Sequence, residues 1–295
     1  MNPATEPAPG PALAQRPEHP TIAQIREIGQ PEHVRSRAAA EHWVAHAYLR
    51  QISPYLTRPL LAAGASANAV TWLMIAAAAA SAVATTWVGI GGAVLAALLV
   101  QLQMLLDCCD GEVARWRQTS SPLGIYLDRV GHYVAECGIA LALGVRVATG
   151  GGFGAGPLVT ASGTGAFERL LATLADPALF AGAVLALLVA LNKVENDLVH
   201  VSRGQYGMTA MKDAEAVRVP TVGLVRRLRG MAKIVPFHRV FHSVELSLLV
   251  LAAAVVDLAL GSHTATQVLL GGLLVAALVT VAGHLAAVLN SARLR

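Results

Sequence analysis

Six long, predominantly apolar segments constrain this chain more than any other feature of its sequence. They cover residues 67–87, 89–116, 121–147, 176–201, 238–260 and 264–290. A helix needs about 20 apolar residues to cross the hydrocarbon core of a bilayer. Charged residues make up only 14% of the chain, against about 25% in an ordinary soluble domain. The sequence therefore predicts an all-α integral membrane protein with six transmembrane helices.

The part of the chain before the first apolar segment divides in two. Residues 1–20 are rich in Pro and Ala and are predicted to form a disordered cytoplasmic tail. Residues 21–66 mix charged residues with regularly spaced apolar and aromatic ones, a pattern typical of amphipathic helices that lie at the membrane interface. The expected organisation is this tail, then the juxtamembrane helices, then a six-helix transmembrane domain over residues 67–293.

Lys and Arg are distributed unevenly between the loops, which predicts the orientation of the protein. They are frequent in the 202–239 loop and around the 115–122 turn, whereas the loops near 88, 149–175 and 261–263 contain one basic residue, Arg169. The positive-inside rule therefore places both termini in the cytoplasm. The net charge of +4 is interpreted in the same way, with membrane lipid and not nucleic acid as the partner. The abundance of Ala and Arg is typical of proteins from GC-rich bacteria, so the expected location is a bacterial cell membrane.

Two groups of polar and small residues interrupt the second and third apolar segments. At helical spacing they share a face: Asp107, Asp110, Gly111 and Ala114 on the second span, and Gly124, Asp128 and His132 on the third. Charged side chains at membrane depth are costly and usually mark a functional site. If the two spans pack antiparallel, three carboxylates and an imidazole face one cytoplasmic cavity with Arg115 at its rim. Such a set suits Mg²⁺ or Mn²⁺ and phosphoryl chemistry, with a two-metal site expected.

These residues resemble the signature of the CDP-alcohol phosphotransferase (CDP-alcohol phosphatidyltransferase) family. The string D107-x-x-D110-G111-x-x-A114-R115, followed by eight residues, G124, three residues and D128, matches seven of the eight fixed positions with every gap correct. Asn68 and Thr71 are similar to the family's entry motif, Asn-x-x-Thr, before the first span. The resemblance implies transfer of a substituted phosphate from a CDP-alcohol, often CDP-diacylglycerol, to an alcohol, with release of CMP. It also implies a homodimer.

The resemblance assigns expected roles to the matching residues. Metal binding is implied for Asp107, Asp110 and Asp128, with a catalytic role also expected for Asp128, and the nucleotide cleft is expected to include Asn68, Thr71, Gly111, Ala114, Arg115 and Gly124. The eighth position, where the family has a catalytic Asp, is His132. An imidazole can act as general base or bind a divalent metal, so a working variant with His132 in either role is favoured. Recruitment of Glu136 as the base is a second interpretation.

Two other functions stay open from the sequence. A catalytically degenerate nucleotide-binding membrane protein is allowed by the substitution at His132, and a transporter is disfavoured because the charges cluster at one depth on two adjacent spans. The acceptor alcohol is not identified. Candidates for its pocket are polar residues at helical spacing on the fourth and fifth spans: Lys193, Asn196, Asp197, His242 and Glu245. Pairing of Lys193 with Asp197 within the helix is an alternative role for these two.

Overall fold

The computed structural model describes residues 16–17, 20–35, 43–150, 165, 175–208 and 237–290. Within these residues the fold is all-helical, and six helices are long and apolar enough to cross a membrane. The six are α4 (Ala67–Thr86), α5 (Ile90–Arg117), α6 (Pro122–Thr149), α7 (Pro177–Gln205), α8 (Ser243–Leu260) and α9 (Thr264–Leu289). The prediction of an integral membrane protein with six spans is therefore confirmed.

Local sequence explains where several spans begin. Ser66, Ser121 and Asp176 are N-caps whose side chains accept a hydrogen bond from the first turn of α4, α6 and α7. Pro122 and Pro177 follow two of these caps, where the missing N–H costs nothing. The fifth span differs from the prediction of 238–260. Phe237–Phe241 is a 3₁₀-helix, His242 has extended backbone, and α8 begins only at Ser243.

Three shorter helices precede the spans: α1 (Ile22–Gly29), α2 (Glu32–Arg35) and α3 (Arg50–Ala62), with a π-helix at Ala45–Leu49. Helix α1 buries Ile25, and α3 buries Leu61, in a cluster with residues of α4 and α5. One face of these helices is therefore packed on the bundle. Their position at the membrane interface stays a prediction, and most of the predicted tail lies outside the described residues, as does most of the basic 202–239 loop.

Glycines permit the close approach of the helices around α6. A Cβ on Gly131 would lie 2.0 Å from Cε of Met74, and one on Gly138 would lie 2.9 Å from Cβ of Ala82 in α4. On the other side of α6, a Cβ on Gly144 would lie 2.7 Å from Cα of Gly182 in α7. Small residues at such crossings let backbones touch, which is how helices gain packing energy in lipid. Helix α6 is therefore held between α4 and α7, with its polar first turns beside α5.

The end of the bundle opposite those polar turns is closed by side-chain contacts to backbone. The guanidinium of Arg146, which is 3% exposed, donates to the carbonyls of Trp87 and Gly89 in the α4–α5 turn. Asp257 accepts hydrogen bonds from the N–H groups of Ala265 and Thr266 at the start of α9. These contacts satisfy helix-terminal groups that would otherwise be buried without partners.

Candidate active site

A cavity of about 550 Å³ lies between the C-terminal half of α5, the first turns of α6 and the start of α4. All ten residues that the sequence assigns to metal, catalysis or nucleotide line it: Asn68, Thr71, Asp107, Asp110, Gly111, Ala114, Arg115, Gly124, Asp128 and His132. The 118–121 turn brings α6 back antiparallel to α5, because Gln118 takes a left-handed conformation at the end of α5 and Ser121 caps α6. The expected convergence of the two helix faces is thus present.

Two carboxylates and the imidazole form the most compact group in the cavity. Nε2 of His132 lies 3.4 Å from Oδ1 of Asp107 and 3.5 Å from Oδ1 of Asp128. One ligand atom from each of the three residues lies within 4.8 Å of the others. Oxygen and imidazole nitrogen atoms at these separations can converge on a divalent cation after small side-chain rotations.

Asp110 stands slightly apart from this group. Its side chain is 9% exposed, and its Oδ2 accepts a hydrogen bond of 2.7 Å from the hydroxyl of Thr71. Thr71 is expected from the family resemblance to border the nucleotide, whereas in the structure its hydroxyl orients an aspartate. A hydrogen bond of this kind fixes which oxygen of the carboxylate faces the cavity.

The residues present fit a divalent metal, and one atom supports this directly. Oδ1 of Asp128 is buried and accepts no well-formed hydrogen bond within the described residues. Its neighbour, Nε2 of His132, is 3.5 Å away, which is long for a hydrogen bond. A buried carboxylate oxygen without a close donor is costly, and a cation bound between Asp107, Asp128 and His132 would satisfy it.

The motif glycines leave room for neighbouring side chains. A Cβ on Gly111 would lie 3.0 Å from both terminal nitrogens of the Arg115 guanidinium, which therefore lies along the surface of α5. A Cβ on Gly124 would lie 3.6 Å from Oδ1 of Asn68. Nε of Arg115 donates to the backbone carbonyl of Gly29, 2.5 Å away, so the motif arginine is tied to the end of α1.

The five candidate acceptor residues do not line this cavity as the structure describes it. Nζ of Lys193 lies 3.0 Å from Oε1 of Glu136, which is 2% exposed. Asp197 pairs with Arg129 and accepts a hydrogen bond from the hydroxyl of Tyr133. The alternative pairing of Lys193 with Asp197 is therefore wrong, because each has an ion-pair partner on α6.

The three remaining acceptor candidates have local contacts. The side-chain amide of Asn196 donates to the carbonyl of Asn192. His242 provides the extended N-cap backbone of α8, and Glu245 lies in the first turn of that helix. Glu136, considered above as a substitute base, is engaged by Lys193. An acceptor role for any of these residues stays a prediction.

Sequence reasoning missed three charged residues near the motif. Arg50 and Arg129 line the cavity. Glu112 is fully buried on the other side of α5, where its carboxylate accepts hydrogen bonds from Gln30, Ser53 and Thr57. The signals were present in the sequence: Arg129 adjoins Asp128, and Glu112 is a charge inside an apolar segment. Only Arg50, in the N-terminal segment, carries no local sign of its position.

The fold and the cavity define a class of polytopic helical membrane proteins with an Asp/His site at one end of the bundle. Comparison with protein families makes this specific. The model of the family described as CDP-alcohol phosphatidyltransferase matches residues 65–291, and the chain belongs to this family. Membership implies transfer of a phosphate group from a CDP-alcohol to an acceptor.

One curated relative is also similar to this chain. It is the "Bifunctional IPC transferase and DIPP synthase" of Rubrobacter xylanophilus, 43% identical over 63 residues. The match covers 20% of this chain and only 14% of that protein. The short overlap supports the family and carries no substrate to this chain.

Proposed function

We propose that this protein catalyses metal-dependent transfer of a substituted phosphate from a CDP-alcohol, with CDP-diacylglycerol as donor, to the hydroxyl of an acceptor alcohol, releasing CMP. The observation that carries the proposal is the meeting of Asp107, Asp128 and His132 within 4.8 Å, in a cavity lined by every other matching motif residue. Family membership favours this transferase over a transporter.

In this proposal the chain's own residues hold the metal and orient the substrates. Asp107, Asp110, Asp128 and His132 would bind Mg²⁺ or Mn²⁺, and two ions would use all four. The metal, when bound, would neutralise charge on the diphosphate and stabilise the departing CMP. Gly111, Ala114 and Gly124 would let the nucleotide approach the helix backbones, beside Asn68 and Arg115.

His132 would replace the last aspartate of the family pattern. Its Nε2 faces both aspartates, and one lone pair on that atom can bind a metal or accept the proton of the acceptor hydroxyl, but not both at once. We propose the ligand role, because Nε2 points into the carboxylate pair. The base would then be a carboxylate oxygen that the metal does not bind, with Asp128 the candidate because its second oxygen stays available when Oδ1 binds the cation.

A lipid-linked donor is supported by the surface beside the cavity. Ile125 lines the cavity and is 64% exposed, and Leu123 and Tyr126 on the same turns of α6 are also exposed. Exposed apolar side chains in a membrane protein contact lipid, so acyl chains could lie against these turns while the diphosphate enters the cavity. The cytoplasmic opening and the homodimer stay predictions.

The test is CMP release by the purified protein in lipid with Mg²⁺ or Mn²⁺. CDP-diacylglycerol and a water-soluble CDP-alcohol are each offered with a panel of alcohols. We expect metal-dependent release with the lipid donor and its loss in Asp128→Asn. The matched control is Asp176→Asn, which removes one carboxylate from the other end of the bundle and keeps a good N-cap. Equal release in Asp128→Asn and wild type would refute the proposal.

A degenerate nucleotide-binding protein is the second candidate, and one observation favours it. A protonated His132 between Asp107 and Asp128 could neutralise these carboxylates in place of a metal. If the protein is such a degenerate binder, we expect CDP-diacylglycerol to bind but no pair of donor and acceptor to release CMP. We also expect His132→Asp to create activity where the wild type has none.

A further inference from the structure

Arg50 belongs to the first turn of α3, far from the motif in sequence, yet its side chain lines the motif cavity. It is accompanied there by Ala45 and by Val34 of α2, so the N-terminal segment forms one wall of the cavity. Asp107 and Asp128 line the same cavity. A guanidinium has the fixed fork of donors that suits phosphate oxygens, and a cavity holding several carboxylates needs added positive charge before a diphosphate can enter.

A buried hydrogen-bond network fixes the backbone of Arg50. The side-chain amide nitrogen of Gln30 donates to the carbonyl of Arg50, 2.7 Å away, and to Oε1 of Glu112, also 2.7 Å away. Ser53 and Thr57 on α3 donate to the same carboxylate. Because Glu112 lies between Gly111 and the motif arginine, the network joins the helix that carries Arg50 to the helix that carries the aspartates.

The two other arginines that line the cavity each make a contact with a residue that does not line it. Nε of Arg115 is bonded to the carbonyl of Gly29, and Arg129 is paired with Asp197. Arg50 reaches the cavity from α3, an element that carries no motif residue. A phosphate bound in this cavity could therefore contact a guanidinium from the N-terminal wall.

We propose that Arg50 is a phosphate-binding residue of this site and that Gln30 is the residue that positions it. The inference rests on the proposed function and deepens it. The phosphate belongs to the donor's diphosphate or to a phosphorylated acceptor, and kinetics separate these two sources. In either case, the N-terminal helices contribute a side chain to substrate binding as well as contacting the bundle.

The test compares Arg50→Gln and Arg50→Lys with the matched control Arg58→Gln, which removes the same charge from an exposed position of the same helix. If Arg50 binds the phosphate of the donor, Arg50→Gln raises the KM for CDP-diacylglycerol about tenfold or more, with a smaller rise in Arg50→Lys. If Arg50 instead binds the phosphate of the acceptor, Arg50→Gln raises the KM for glycerol 3-phosphate and not for glycerol. The proposal is overturned if Arg50→Gln has wild-type thermal stability and unchanged KM values for CDP-diacylglycerol, glycerol 3-phosphate and glycerol.

Binding measurements keep this test separate from the proposed function. A wild type without CMP release contradicts the transferase, but the affinities for CDP-diacylglycerol in nanodiscs and for glycerol 3-phosphate can still be measured. Loss of either affinity in Arg50→Gln, and not in Arg58→Gln, supports the role of Arg50. Equal affinities in all variants, or no binding to the wild type, overturn it.

The role of Gln30 is tested by a double-mutant cycle. Gln30→Ala should raise the same KM as Arg50→Gln, and in the Arg50→Gln background it should add nothing to that KM. A purely structural role for Gln30 would lower thermal stability and kcat equally in both backgrounds. Additive effects on KM would therefore contradict the positioning role.

Discussion

At the scale of single residues, His132 is the point at which this chain departs from the pattern of its family. Its Nε2 lies within 3.5 Å of an oxygen of Asp107 and of Asp128, so it occupies a place suited to a metal ligand. Imidazole shifts a site toward softer divalent ions than an all-carboxylate set prefers. The choice between Mg²⁺ and Mn²⁺ should therefore depend on this residue.

We expect His132→Asp to increase the ratio of the transfer rate with Mg²⁺ to the rate with Mn²⁺ several-fold, because a third carboxylate replaces the imidazole. Rates of CMP release at saturating concentrations of each metal give the ratio. His200→Asp, at an exposed position on α7, is the control. An unchanged ratio with normal activity would show that His132 does not bind the metal.

The hydrogen bond from Thr71 to Asp110 leads to a second residue-scale prediction. We expect Thr71→Val to raise the metal concentration for half-maximal activity about tenfold, since partners of metal ligands typically matter this much. Thr71→Ser, which keeps the hydroxyl, should restore most of the affinity. If Thr71→Val instead raised the KM for the CDP-alcohol and left the metal dependence unchanged, Thr71 would contact the nucleotide as the family resemblance implies.

At the scale of secondary-structure elements, one buried carboxylate of α5 contacts the N-terminal helices at several points. Glu112 is fully buried and accepts hydrogen bonds from Gln30 before α2 and from Ser53 and Thr57 on α3. Arg16 adds a contact at the end of α5, where its guanidinium lies 5.6 Å from the ring centre of Trp116. The packed apolar residues around Ile25 and Trp116 complete the attachment.

We expect Glu112→Ala to lower the free energy of unfolding by about 3 kcal/mol, because three donors lose a charged acceptor inside the protein. The attachment of α1–α3 should loosen first, so trypsin should cleave after Arg26 or Arg35 sooner than in wild type. Thermal unfolding in detergent and timed proteolysis measure the two effects. Glu32→Ala, which removes an exposed carboxylate nearby, should change neither. Wild-type cleavage rates in Glu112→Ala would contradict this attachment.

At the scale of the whole molecule, the cavity lies at one end of the six-helix bundle, and the sequence predicts that this end faces the cytoplasm. We expect Ser120→Cys to react with a membrane-impermeant maleimide only when the cytoplasmic side is accessible, and His263→Cys only from the opposite side. The background replaces the native cysteines Cys108, Cys109 and Cys137 with Ala. Labelling of Ser120→Cys in intact cells would reverse the predicted orientation.

Much of the fold could be predicted because membrane helices are specified locally. Length, hydropathy and caps such as Ser121 with Pro122 placed four of the six spans within a few residues at both ends. The predicted start of the fifth span was wrong because Phe237 and Phe241 are as apolar as the residues of a transmembrane helix. The amino-acid composition does not reveal the change to extended backbone at His242. Local rules thus predict that a helix exists better than where it begins.

The candidate site could also be predicted only in part from the sequence. Helical spacing indicates which side chains share a face, and the return of the chain at the 118–121 turn brings Asp107, Asp128 and His132 together across the cavity. Spacing does not indicate which distant element will supply a partner. The contacts of Thr71 with Asp110, and of Gln30 with Glu112, join positions far apart in the chain, so only the structure reveals them.

The two ends of the bundle are built differently, and this has an evolutionary consequence. Away from the cavity, Arg146 and Asp257 bind backbone groups, whose chemistry is the same whatever side chains surround them. At the cavity end, by contrast, several site residues are held by other side chains, as Asp110 is by Thr71 and Arg129 by Asp197. Substitutions around the cavity can therefore alter which alcohol is accepted while the far end keeps the helices together. Descendants of such a chain could change substrate more readily than they could change architecture.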